Sequence, residues 1–88
     1  MAILPRSTFT DAYTGVLRTL VTARTQAGLT QAEVSRRLGK TQPFMSKVES
    51  GVRRIDVVEF CAIAAAIGHD PKVLFGEVAD ALPPRLEI

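Results

Sequence analysis

Apolar residues in the first third of the chain recur at helical spacing. Phe9, Tyr13, Val16, Leu17, Leu20, Val21 and Arg24 step by three and four, which predicts a helix from about Asp11 to Ala27 with one inward face. Thr8 or Thr10 is placed to cap it, and Gly28 supplies the residue type that commonly ends a helix. Thr30-Gln31-Ala32-Glu33 then has the spacing of a capping box, with Leu29 and Val34 at the positions of a hydrophobic staple. Leu38 continues that buried stripe, so a short second helix ends at Gly39.

Only Lys40 separates Gly39 from Thr41, the next N-cap candidate, so the second and third helices meet through a tight turn at a sharp angle. Pro43 is tolerated in the first turn of the third helix, where amides lack intrahelical partners, and Met45 with Val48 forms the inward face. Gly51 closes this helix. Asp56 caps a fourth, running to Ile67 and closed by Gly68, and Asp70-Pro71 opens a fifth. Pro83-Pro84 prevents further helix, so residues 1–82 read as one domain and 83–88 as a tail. The expectation is a compact all-α fold of five helices, without repeats or strand-like alternation.

Eighty-eight residues, 47% of them hydrophobic, can build one core but not two. Cys61 stands alone, which excludes an internal disulfide, and His69 lacks neighbouring ligands, so neither a metal nor another cofactor is expected. The longest apolar run, Phe60 to Ile67, is too short to cross a bilayer, and Met1 to Arg6 lacks a signal peptide's charged-then-apolar order. A soluble, cytoplasmic protein is expected. No nucleophile with a base, paired carboxylates or metal set points to an enzyme.

The net charge of +2 says little until it is located. From Ser35 to Arg54 six bases (Arg36, Arg37, Lys40, Lys47, Arg53, Arg54) face one acid, Glu49, a local +5 of the kind phosphates attract. From Ile55 onward two bases face six acids, a local −4, so the charge is segregated along the chain.

The residues Leu29-Thr30-Gln31-Ala32-Glu33-Val34, Leu38-Gly39, Thr41-Gln42-Pro43 and Met45-Ser46-Lys47-Val48-Glu49-Ser50-Gly51 resemble the phage-repressor and Cro-like helix-turn-helix family, the XRE type, over about Val16 to Phe75. Ser35 departs slightly from it, since the family usually has alanine there, and a buried serine must find a hydrogen bond. The resemblance implies a buried ion pair between Arg24 and Glu49 that ties the first helix to the third. It also implies that the third helix enters the major groove of double-stranded DNA.

On that footing Gln42 is the foremost base reader, because its amide can donate and accept together against adenine. Pro43 and Lys47 are further readers, Lys47 for guanine or a phosphate. Phe44 either covers thymine methyls or folds against the turn or a neighbouring helix. Gln31, Thr41, Ser46, Arg53 and Arg54 are candidate phosphate ligands, whereas Arg36 and Arg37 receive no specific role.

Phe60, Ile63, Ala64 and Ile67 can form the fourth helix's core face, yet Val58, Cys61, Ala62 and Ala65 leave much of its remaining surface apolar. Self-association would cover it, as would Ile3, Leu4, Leu82, Leu86 or Ile88 from the chain ends. Cys61 itself reads as a small buried residue rather than a redox switch, and His69 as a ligand of helix carbonyls. The resemblance implies a dimeric transcriptional regulator, a repressor that occludes a two-fold operator. The competing expectation is an antitoxin-type interaction module that engages a protein through its acidic C-terminal part.

Overall fold

The computed structural model describes residues 11–86 and contains α1 (Asp11–Gln26), α2 (Gln31–Arg37), α3 (Pro43–Glu49), α4 (Val57–Ile67) and α5 (Pro71–Ala81), with no strand among the described residues. The proposed caps Thr8 and Thr10, the stripe residue Phe9, and the chain-end residues Ile3, Leu4 and Ile88 lie outside that range.

One core collects the inward faces of all five helices. Tyr13, Leu17, Leu20 and Ala23 of α1 meet Val34 of α2, Phe44, Met45 and Val48 of α3, Phe60, Ile63, Ala64 and Ile67 of α4, and Leu74 and Val78 of α5. α1 packs against α3, α4 and α5, and α2 against α3 and α4, so the α2–α3 pair rests on α1 through α3 and on α4 through α2. Burying an aliphatic or aromatic side chain of this size stabilises the fold by about 1.5–3 kcal/mol.

Local signals set the helix starts. Thr30 Oγ1 accepts the Glu33 amide at 3.0 Å while the Thr30 amide donates to Glu33 Oε1 at 2.8 Å, so the box at α2 is closed on both sides. Asp56 and Glu59 repeat it at α4, at 2.7 and 2.9 Å. Gly39, at φ 69°, makes the turn between α2 and α3 in a conformation that side chains with a Cβ rarely adopt.

α3 starts differently from expectation. Thr41 does not cap it: Gln42 occupies the cap position in a helical conformation without a side-chain cap, and the Phe44 amide bonds back to the Thr41 carbonyl at 3.0 Å. The work falls to Ser35 of α2, which is fully buried. Its Oγ accepts the Met45 amide at 3.1 Å and donates to the Gln42 carbonyl at 3.3 Å, so a first-turn amide of one helix is satisfied by the other.

The C-terminus of α4 holds a second correction. His69 does not serve helix carbonyls through its ring, which lies 3.4 Å from the Asp70 carbonyl and 4.0 Å from Glu77. The Ala66 carbonyl is instead bound by Arg37 Nη1 at 2.8 Å, which gives Arg37 the structural role that was not foreseen, and Ala64 receives the His69 backbone amide. No helix of the described residues is long and apolar enough to cross a membrane.

Candidate nucleic-acid interface

With Phe44, Met45 and Val48 committed to the core, α3 presents its opposite side to solvent. Thr41, Gln42, Pro43, Ser46, Lys47 and Ser50 are all exposed. The donors and the pyrrolidine of this row therefore stand on one rigid element, next to the sharp turn at Gly39 and Lys40.

A polar brace holds that element from behind. Arg24 Nε and Nη2 meet Glu49 Oε2 and Oε1 at 2.6 and 3.0 Å, a two-pronged pair with side-chain exposures of 12% and 6%. Arg24 Nη1 also donates to the Leu29 carbonyl at 2.8 Å, so α1, the approach to α2 and the end of α3 share one guanidinium. Gln31 Nε2 donates to Glu49 Oε1 at 2.8 Å. The Gln31 side chain is thus half-buried and already engaged, which its reading as a simple phosphate ligand did not anticipate.

Phe44 takes the inward of its two expected places. It is 9% exposed and belongs to the core cluster, so it offers no free ring to a base edge. Its ring is instead approached by two cations, Lys40 Nζ at 5.7 Å and the Arg53 guanidinium at 5.1 Å from the centroid. The physical reason is helix phase: Phe44 lies one turn before Val48 and beside Met45, so it shares the buried arc of α3.

Arg53 and Arg54 occupy the segment after Gly51. Arg53 Nη2 pairs with Glu59 Oε2 at 2.8 Å and its Nη1 donates to the Arg54 carbonyl at 3.0 Å. The Arg53 hydrogen bond is the main reason the Glu59 carboxyl sits below its ordinary range, with the Asp56 amide second, and Glu59 in turn raises Arg53. The Arg54 guanidinium lies over the Tyr13 ring at 4.1 Å, and the Tyr13 hydroxyl accepts the Ile55 amide at 3.2 Å. Loop and α1 are stitched together at this point.

Glu59 is a member of this surface that sequence reasoning did not single out, and Lys40 entered it only as one base of the stretch from Ser35 to Arg54. A signal for Glu59 was available, since Asp56-Val57-Val58-Glu59 has the same capping-box spacing as Thr30 to Glu33. Nothing local points to the pairing of Lys40 with a ring four residues on.

Away from this surface, Val58, Cys61, Ala62 and Ala65 are exposed along α4, with Val58 at 76%. This corrects the expectation for Cys61, whose free thiol is at the surface. The reason lies in the helix phase: Phe60, Ile63, Ala64 and Ile67 fill the core side, and residue 61 falls outside that arc. Among the described residues no group of three His, Cys, Asp or Glu side chains could hold a metal ion.

Comparison with known proteins agrees with this geometry. A helix-turn-helix family model matches residues 20–74. Among solved structures, an XRE-family like protein from Pseudomonas syringae pv. tomato str. DC3000 is 42% identical and superposes with a TM-score of 0.76, over 82% of this chain and 88% of that one. No curated protein shows significant similarity to the chain.

Proposed function

Because this chain belongs to the XRE-type helix-turn-helix family, a family of DNA-binding regulators, we propose that it is a sequence-specific transcriptional repressor that lays α3 in the major groove. The observation that carries the reading is the exposed row Gln42, Pro43, Ser46 and Lys47 on a helix whose other side is locked by its core residues and by the Arg24–Glu49 brace. A reader of base edges needs donors held in place before contact, since each ordered side chain costs free energy on binding.

In this reading Gln42 pairs with adenine, Lys47 reaches guanine, and Pro43 adds an apolar contact to a thymine methyl. Thr41, Ser46, Arg53 and Arg54 hold the sugar–phosphate backbone, and Gln31 joins them from the mouth of α2 while steadying Glu49. Two copies meet through the exposed α4 face of Val58, Cys61, Ala62 and Ala65, and bind half-sites roughly 34 Å apart. Occupying such an operator excludes other proteins from it.

Selection of bound sites from random duplexes tests this directly, with a two-fold symmetric motif as the expected outcome. Gln42→Ala should then relax preference at one position by about 1–3 kcal/mol, whereas Arg54→Ala should weaken all sequences alike and lower the salt slope by about 1. Absence of any enriched sequence would remove the specific-regulator reading. A molar mass that stays monomeric at every concentration would remove the dimer.

A further inference from the structure

Phe44 brings together two positive side chains that the chain supplies from different segments. Lys40 comes from the α2–α3 turn and Arg53 from the segment after α3, and both lie within 6 Å of the same ring centroid. Two cations sharing a small region of surface repel one another and, on long stems, would separate into water. The ring opposes this, because the negative face of its quadrupole attracts each of them. Glu59 adds a fixed anchor for Arg53 at 2.8 Å, and its carboxylate also feels the charge of Lys40.

The two cations are held in different ways, and the difference matters. Arg53 spends Nη2 on Glu59 and Nη1 on the Arg54 carbonyl. Among the described residues Lys40 makes no ion pair. A ring positions an ammonium without neutralising it and without consuming its three N–H donors. Lys40 is therefore oriented, charged and available at the flank of the exposed α3 row.

We propose that Phe44 is a positioning residue for DNA-backbone binding, its ring holding Lys40 and Arg53 beside α3, and that Lys40 is a phosphate anchor. The inference rests on the DNA-binding reading above. It gives Phe44 a task other than touching a base.

Three variants of the full chain test it, titrated in salt against a fixed duplex carrying the enriched site and against a random-sequence duplex. Lys40→Met keeps the apolar stem and removes the charge, and should reduce the magnitude of the salt slope by about 0.9, one released counterion, on both duplexes. Phe44→Leu should weaken both by about two- to fivefold, the worth of a lost cation–π contact, and Phe44→Tyr should restore the affinity. In the free wild-type protein the Lys40 side-chain protons should resonate upfield under the Phe44 ring current and return to ordinary positions in Phe44→Leu.

An unchanged slope in Lys40→Met overturns the proposal. So does a Phe44→Leu loss confined to one base-pair position, which would make the ring a reader, or equal impairment by leucine and tyrosine, which would make it packing alone. Should Phe44→Leu fail to fold, Lys40→Met decides, because Lys40 is exposed. Failure of the wild-type protein to bind any duplex would sink the DNA reading itself, while the ring-current shift still judges the mount separately.

Discussion

Replacing Arg24 by methionine removes the cation of the brace while keeping a long apolar stem in the same space. Of its three donor contacts Glu49 would then keep only the one from Gln31 on a nearly buried carboxylate, and the Leu29 carbonyl would lose its guanidinium donor. Breaking a buried pair by removing one member costs about 3–5 kcal/mol, because the surviving charge has lost both water and partner. A chain of 88 residues at roughly 0.05–0.15 kcal/mol per residue has only about 4–13 kcal/mol of stability, so the loss is a large share of the total. At about 4–8 °C per kcal/mol for a domain of this size, Tm should fall by at least about 12 °C. Urea unfolding followed by far-ultraviolet circular dichroism measures the loss, and an unchanged m value assigns it to the native state. The double variant Arg24→Met/Glu49→Leu should recover most of it, since an apolar pair removes the orphaned charge. A single-variant loss below about 1 kcal/mol, the worth of an exposed pair, would refute the argument, as would a double variant equal to the sum of its parts.

Three further outcomes follow from the same structure. Ser35→Ala removes the acceptor of the Met45 amide in a fully buried place and should cost about 1–3 kcal/mol by urea unfolding; a neutral result would mean that the α3 start needs no help from α2. Gly39→Ala meets no atom within 4 Å, so its cost is conformational alone, about 1–2 kcal/mol, and a loss well above that would point to a clash absent from this geometry. Glu33 and Glu59 both titrate below the ordinary glutamate range, Glu33 through the Thr30 amide and then its hydroxyl, Glu59 through Arg53 and then the Asp56 amide. A depressed folded-state value adds stability above the unfolded value, about 4.3, and that stability is lost as pH falls through the folded one. The acid limb of the stability profile should therefore flatten in Glu33→Gln/Glu59→Gln, and an identical limb would show that these boxes do not contribute.

The five helices were legible because their signals are local. Thr30 to Glu33, Asp56, Asp70-Pro71 and the four glycines at positive φ each act within a few residues of themselves, and the three-four spacing of Tyr13, Leu17 and Leu20 states which face turns inward. Thr41 shows where such reading stops. It has the chemistry of a cap, yet the start of α3 is served by Ser35, whose nearness depends on how closely two helices approach. Cys61 shows the limit of residue type as a guide, because cysteine's usual preference for the interior yields to helix phase.

The division follows from range. Sequence alone determined how many helices form and closely where they lie, which stripes seek the core, and that the basic stretch centres on residues 35–54, since covalent spacing carries that information. The tertiary structure decided the rest: that Phe44 joins the core and collects Lys40 and Arg53, that Gln31 joins Arg24 on Glu49, and that Arg37 closes the end of α4. Apart from Lys40, which lies four residues from the ring it approaches, each of those partners comes from a different segment of the chain. Such a partner is chosen by the angle at which helices pack, and no local pattern encodes that angle.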